Sequence, residues 1–501
     1  MKQTILLLAT LCLCSGLFGQ VNLDLVLTED FQAKESSYDN STYIGADENL
    51  FYSIVTKYVD KKDGYSRTGN IAFIVGYSIK TLETVFSSEL ILPANNAQEL
   101  SFHGAFPNGD GLNIIYSFYD SKNNERVIAL AKMDIEGTIN SEVTKLSATA
   151  RSMEYSSSQV TFHYQQDSET AVIVEKSPVK GAALVATTAL DSEVHIIHVA
   201  KTGKVLFDRM VRIGEKKKYE FISVEATDDG SVFFRRDGKY EGTAVFIHGP
   251  SASVNTLDNP KDELGKDFLY TEPRALFQRP NGETVSLEIL HSTVKKFSRT
   301  LGFRTTVFNR NGDLKTSFIH KIDVDDTYGA VPNPTKNNFL RGFQIEAISM
   351  DESTIHISGF CLGMLSLGNV NSITLGIDDG AYSEDRCERF FKPKGSYATS
   401  TGIAYGKEGK SGFIQKAPVD WMGKDCSELE RITKKNGENR RQEFGYQTLS
   451  TNGSSQIEMI NFNGADMRSK VIVREILDIN GKHLGVLRNS GKTYFCWLPG
   501  L

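Results

Sequence analysis

The stretch Asn108–Gly137, NGDGLNIIYSFYDSKNNERVIALAKMDIEG, holds two strand-like runs, each pinned at one end by a turn. Asn108-Gly109-Asp110-Gly111 precedes the apolar run Leu112 to Tyr116, and Val127 to Met133 leads into Glu136-Gly137. Asn-Gly and Asp-Gly supply the positive φ angles of tight hairpins. The runs between them are rich in β-branched and aromatic residues, which suit a pleated, half-buried surface.

The same two beats recur along the chain. Turns of the first kind stand at Asp47-Glu48-Asn49, Asp167-Ser168, Asp228-Asp229-Gly230, Asn281-Gly282, Asp351-Glu352 and Asn452-Gly453. Turns of the second kind stand at Lys80-Thr81, Thr202-Gly203, Gly249-Pro250, Asn311-Gly312 and Asn480-Gly481. The two alternate, except that none of the second kind is found between Asp351 and Asn452.

Turns of the first kind are separated by roughly 53 to 70 residues until the last, the spacing of a repeated all-β unit. Such a unit accommodates four short strands, which is one blade of a β-propeller. A lone blade cannot bury both faces and must stack on neighbours. Seven first-kind turns therefore predict an all-β propeller of seven four-stranded blades. A six-bladed ring with one irregular segment and tandem β-sandwich domains are the alternatives. Val21 to Leu27 alternates as a half-buried strand should, and Thr493 to Leu498 closes the chain as another, so both are expected in one blade. The Trp-Asp repeat, the Gly-Gly kelch pattern and the sialidase box are missing from the sequence.

Met1-Lys2 followed by the apolar run Ile5 to Leu13 reads as a secretory signal covering residues 1–19, with cleavage after Gly19. The run is too short to cross a bilayer, and no later stretch is long and apolar enough to do so. Cys12 and Cys14 each follow a leucine, where lipid attachment wants a small residue. The expected mature chain, residues 20–501, is a single propeller domain exported to the periplasm, the cell surface or the medium. It retains Cys361, Cys387, Cys426 and Cys496. Three connectivities are open to them. Cys387–Cys426 is favoured because it would constrain an irregular segment, and four reduced buried thiols are the alternative. No close Cys-x-x-Cys pair suggests a metal centre.

The formal charge is −6, with no basic cluster interleaved with aromatics, so nucleic acid is not an expected partner. Residues 378–442 break the repeat and read as an irregular insertion. It holds Asp378-Asp379-Gly380, Tyr397, Tyr405, Trp421 and a helix-compatible piece from Ser427 to Lys435, with Ser427 and Glu430 at capping-box spacing. Long loops on rigid frames carry contacts, so Tyr397, Tyr405 and Trp421 are the expected anchors for a protein or glycan. A decorated surface hairpin is the plainer reading.

Chemistry is less legible. The nine histidines are scattered. His195 and His198 lie three apart on a strand and face opposite sides of the sheet, so they cannot chelate one metal. His356, in an alternating run, is expected to face water or a polar partner. Asp323-Val324-Asp325-Asp326, and Asp258 with Asp262 and Glu263, could offer oxygens to a structural calcium, but neither completes a calcium loop. No cofactor is otherwise expected. The nucleophile elbow, the zincin motif and the phosphate loop are all missing. The sequence points to an exported non-catalytic propeller that binds protein or glycan. The alternative is a carbohydrate-active hydrolase or lyase with acidic residues at the channel mouth.

Overall fold

The computed structural model describes residues 20–27, 41–59, 69–93, 97–150, 160–165, 168–176, 193–213, 220–237, 243–260, 264, 268–294, 297–321, 343–363, 366–388, 402–407, 410–425, 428, 442–450, 453–463, 472–489 and 492–501. These residues form an all-β propeller of eight blades, seven with four strands and one with six. The chain opens with β1 (Gln20–Asp24) and β2 (Val26–Leu27), which belong to its last two blades. It divides into two compact units, of which Glu29–Thr293 with Leu301–Lys321 is one.

That unit holds five blades, each an antiparallel meander in chain order. Blade 1 is β3 (Ser41–Ala46), β4 (Leu50–Val59), β5 (Gly69–Ser78) and β6 (Thr84–Glu89). Blade 2 is β7 (Ala97–Pro107), β8 (Gly111–Asp120), β9 (Glu125–Asp134) and β10 (Ile139–Ala150). Blade 3 is β11 (Val160–Gln165), β12 (Thr170–Lys176), β13 (Glu193–Ala200) and β14 (Val205–Arg212). Blade 4 is β15 (Glu220–Ala226), β16 (Val232–Asp237), β17 (Thr243–Ile247) and β18 (Val254–Leu257). Blade 5 is β19 (Phe268–Gln278), β20 (Thr284–Val294), β21 (Phe297–Phe308) and β22 (Leu314–Lys321).

The core of this unit lies between consecutive blades, because each middle strand is apolar on both faces. Phe106, Ile115 and Leu130 of blade 2 pack on Ile173 and Ile197 of blade 3, and Val172 and Ile196 on the other face meet Phe234 and Val245 of blade 4. Phe246 of blade 4 stacks on Phe308 of blade 5 with ring centroids 3.9 Å apart. A fully buried phenylalanine contributes roughly 1.5 to 3 kcal/mol.

The two beats have a common location. Except at Asn452 and Asn480, first-kind turns join strands one and two, second-kind turns join strands three and four, and in a meander both lie at the same end of the sheet. Backbone bonds tie the pair together: Ile79 N donates to Asn49 O at 2.8 Å, and Ile377 N donates to Ser353 O at 2.9 Å. Second-kind turns also bond between blades, as where Asn113 Nδ2 donates to Lys201 O at 2.7 Å and Asn255 Nδ2 to Gly312 O at 2.6 Å.

The second unit comprises Met1–Thr28, Val294–Thr300 and Ile322–Leu501. Blade 6 is β23 (Phe343–Met350), β24 (Thr354–Gly363), β25 (Ser366–Gly376) and β26 (Tyr382–Glu388). Blade 7 contains β27 (Gly402–Lys407), β28 (Lys410–Pro418), β29 (Gln442–Ser450), the short β30 (Gly453–Ser454) and β31 (Glu458–Asn463), with β1 parallel to β31. Blade 8 is β32 (Ile472–Ile479), β33 (Lys482–Asn489) and β34 (Lys492–Trp497), completed by β2 antiparallel to β34.

Eight blades rather than seven follow because the described residues of 378–442 hold strands of the repeat, β26, β27 and β28, where an irregular insertion was expected. Asp378-Asp379-Gly380 is the missing second-kind turn, joining β25 to β26. Glu408-Gly409, unremarked in the sequence, separates β27 from β28 in the first-kind position. The kinds of the last two turns also exchange: Asn480-Gly481 joins the first two strands of blade 8, and Asn452-Gly453 follows the third main strand of blade 7. The amino-terminal run divides where one strand was expected. Val26 and Leu27 join the last blade, while Gln20 to Asp24 pair with Met459 to Asn463 in the blade before it.

Candidate functional site

Two irregular first strands bring charge together between blades 4 and 5. In β15 the register with β16 slips between Ile222 and Glu225, and Ser223 takes φ 53°. A non-glycine residue in that region is held there at a cost of about 1 kcal/mol or more. In β19 Pro273 pairs with Glu288 and Ala275 with Leu287, which leaves Arg274 as the extra residue of a bulge. Bulges re-aim side chains. Slips recur in the first strands of blades 1, 2, 6 and 8 as well, so the bulge is a habit of the repeat and the residue it carries supplies the individuality.

Here that residue is an exposed arginine beside a half-buried carboxyl. Burial pushes the Glu225 carboxyl up to about 7, against the opposing pull of Arg274. Glu272 differs: its Oε2 lies 2.8 Å from His291 Nε2, and that hydrogen bond leads the effects that lower its pKa. His291 stacks on Tyr270 at 4.7 Å, and the Arg235 guanidinium sits 4.4 Å over the same ring while donating to Thr271 O. The group thus combines a carboxyl that is partly protonated near neutrality, an ionised carboxylate, an exposed guanidinium and a fixed aromatic ring. Such a set can hydrogen-bond a polar ligand, and carboxyls with divergent pKa values can divide acid and base roles. Pro273 inside a strand was the available sequence signal, because proline there marks an edge or a bulge.

A second charged network spans blades 2 and 3. His103 Nε2 is 2.7 Å from Ser117 Oγ, which accepts from Arg126 Nη2 at 3.0 Å. Arg126 Nε lies 3.4 Å from Glu175 Oε1, Glu175 Oε2 is 3.1 Å from His195 Nδ1, and His195 Nε2 is 2.5 Å from Asp208 Oδ1. Glu175 and His195 are each 1% exposed, whereas the Asp208 side chain reaches solvent. Its two carboxylates raise the His195 pKa against the opposing effect of burial. Charges paired this way hold sheets together and leave little reactivity over.

The outer strands are different. Among the described strands, β6, β10, β14, β18 and β22 each pair on one side only. Each exposes apolar side chains: Val85, Val143, Leu206 with Met210, Val254 and Leu314.

The expected site residues take other places. Tyr405 is 2% exposed, donates its hydroxyl hydrogen to Pro499 O at 2.8 Å and stacks near Tyr446 and His483. Trp421 is 5% exposed, in a 3-10 turn (Val419–Trp421). Both pack in the core, so neither presents the open ring that an anchor needs. Tyr397 and Cys426 lie outside the described residues, as do residues 1–19, Asp262, Glu263 and the run Asp323 to Asp326. The backbone of Cys387 pairs with Val370 in blade 6, and Cys496 is a buried thiol whose pKa burial raises to about 12. Ser427 and Glu430, the expected capping pair, lie outside the described residues, and a reciprocal pair is seen at Asp425 and Glu428. Glu428 N donates to Asp425 Oδ1 at 3.0 Å and Asp425 N to Glu428 Oε2 at 3.1 Å, the reciprocal pattern of a capping box. His356 has its polar partner, Asp351 Oδ2 at 3.0 Å. His195 and His198 do face opposite ways, the latter meeting Phe207 edge-on. Among the described residues no group of His, Cys, Asp and Glu converges to hold a metal, and no helix is long and apolar enough to cross a membrane.

No family model matches the chain, and no curated protein matches it by sequence. Solved structures similar to it are propellers. The Dos1 propeller is 10% identical, with 95% of this chain and 96% of that one covered and a TM-score of 0.42. The propeller domain of the Trilobed protease from Pyrococcus furiosus is also 10% identical, with 86% and 100% covered and a TM-score of 0.34. The WD40 domain of SCAP from fission yeast is 9% identical, with 78% and 95% covered and a TM-score of 0.36.

Proposed function

We propose that this protein is an exported, non-catalytic propeller that binds protein partners through the outer edges of its blades. The observation that supports this reading is the combination, on five outer strands, of a backbone edge with no partner among the described strands and exposed apolar side chains. An edge strand offers a row of backbone donors and acceptors, and an extended segment can add to it with alternate side chains setting specificity. A glycan would be held instead by exposed aromatic rings, and the two described aromatic candidates are buried. The test is capture from envelope or extracellular extract by the immobilised chain, repeated with Val85→Lys, Val254→Lys and Leu314→Lys. The reading expects bound partners to be lost with one or more of these variants. Capture that survives all three at unchanged affinity would place the binding surface elsewhere.

The Glu225 and Glu272 pair supports a second reading, a hydrolase or lyase acting on carbohydrate. A carboxyl titrating at about 7 suits a general acid, and removal of such a group typically costs 10²- to 10⁴-fold in rate. Assay of the purified chain against acidic and neutral polysaccharides distinguishes the readings. Turnover lost in Glu225→Gln supports the enzyme, and no turnover on any of them supports the scaffold.

A further inference from the structure

We propose that β14 is a self-complementary strand through which two copies of this chain pair antiparallel, about a two-fold axis at Met210. The strand Val205–Arg212 reads VLFDRMVR and alternates strictly. Phe207 and Val211 pack on the blade 4 side. Arg209 follows them, donating to Gly249 O and Pro250 O of blade 4 at 2.8 and 2.7 Å. Leu206, Asp208, Met210 and Arg212 form the exposed row, with Leu206 48% and Met210 44% exposed. Among the described strands β14 pairs with β13 alone, and its outer backbone edge has no strand on it there.

Pairing β14 with itself around Met210 sets Asp208 opposite Arg212 of the second copy and Arg212 opposite Asp208 of the second copy. Met210 then meets Met210 between the two ion pairs. Directly opposed residues of unlike charge stabilise an antiparallel pair and like charges destabilise it. Neighbouring symmetric registers fail on this account. Centring on Asp208 opposes two aspartates and brings Lys204 against Arg212, while centring on Arg209 sets Asp208 against Met210. Both side chains reach solvent. His195 holds Asp208 through Oδ1, so Oδ2 remains an acceptor, and Arg212 touches Glu193 through Nε at 3.4 Å with its side chain 74% exposed. An isologous contact of this kind closes as a dimer and does not propagate. It is independent of partner capture, since four other outer strands remain outside it.

One strand pair buries less than the roughly 1,200 Å² of a stable complex, so a weak, concentration-dependent dimer is expected. Sedimentation of the purified full chain over about 1 to 100 μM tests this, with no partner present. The weight-average mass should climb from 55.6 kDa toward twice that value as concentration rises. Arg212→Glu, which sets two acids opposite one another, should weaken association at least tenfold, as should Met210→Lys. Arg212→Lys should retain it, and Leu314→Lys on β22 should leave it unchanged. Arg212 is largely in solvent, so its variants report on pairing even if Met210→Lys disturbs folding. A chain that stays monomeric at about 100 μM, or a dimer indifferent to Arg212→Glu, or one weakened equally by Leu314→Lys, overturns the proposal.

Discussion

Glu175 shows how much of this molecule is decided at single buried side chains. It forms an ion pair with Arg126 on one side and a hydrogen-bonded pair with His195 on the other, with 1% exposure, so its removal strands two cationic groups inside blades 2 and 3. Breaking a buried pair in this way costs about 3 to 5 kcal/mol. Glu175→Ala should lower the opening free energy of β9, β12 and β13 by that order in hydrogen exchange. Asp208→Asn, altering a partner that already faces water, should cost clearly less. The pH dependence separates the histidines by sign. His195, raised in the fold, contributes stability present below the unfolded value near 6.5 and lost as pH climbs through its folded value. His163 is the reverse case: burial lowers it to about 4, and its buried Nε2 lacks a hydrogen-bond partner. Between about pH 6.5 and 4 the unfolded chain takes up a proton there that the fold refuses, so stability falls on acidification. His163→Asn should flatten the stability profile in that window, and an unchanged slope between pH 6.5 and 4 would sink the assignment. None of these roles was legible in the sequence. Partners such as Glu175 and His195 are brought together by sheet register, and burial is a property of the blade that arrives next.

At the scale of elements the sequence was read from one end of the sheets only. Tight turns betray themselves through Asn, Asp and Gly, and in a four-stranded meander two of the three connections lie at the same end. That is why the two-beat pattern exposed the propeller. The connections between strands two and three carry no comparable signal, and blade 7 hid because only Glu408-Gly409 stands in the sequence between β27 and β28, while residues 419–441 stand between β28 and β29. Turn glycines themselves divide by what surrounds them. Gly481 has φ 73° and open space where a Cβ would stand, whereas a Cβ on Gly312, φ 87°, would lie 2.5 Å from both His248 Cβ and Ser253 Oγ. Gly481→Ala should therefore cost only the backbone term, about 1 to 2 kcal/mol. Gly312→Ala adds displacement of the blade 4 contact and should cost more. Thermal unfolding of the two variants beside the parent checks the order, and equal losses would mean that the second-kind turn does not bear on its neighbour.

At the scale of the whole chain, the amino-terminal strands are the strongest test of how the second unit is held. The alternation of Val21 to Leu27 and the apolar end of the chain did announce that the termini meet, but not that the first strands serve two blades. The reason is Asp24-Leu25, where β1 ends and β2 is about to begin: Leu25 N donates to Asn463 O, after which the chain crosses from β31 to β34. Five residues of β1 lie parallel to Met459–Asn463, with Asn461 Nδ2 donating to Asn22 Oδ1 and Asn463 Nδ2 to Asp24 Oδ1. Leu23, 3% exposed, packs in the cluster that holds Tyr405, Tyr446, Ile460, Tyr494 and Cys496. Truncating a buried leucine to alanine costs about 2 to 5 kcal/mol, so Leu23→Ala alone should loosen this unit measurably. Removal of residues 20–27 goes further, since it also leaves β31 and β34 without their outer neighbours. The expected outcome is loss of amide protection in β29, β31, β33 and β34, while β8, β12, β16 and β20 keep theirs, and recovery when a peptide of residues 20–27 is supplied in trans. Protection that persists in β31 and β34 without the peptide would show that the unit holds its last two blades without the amino-terminal strands, because a β-sheet edge stripped of its partner exchanges from that edge inward.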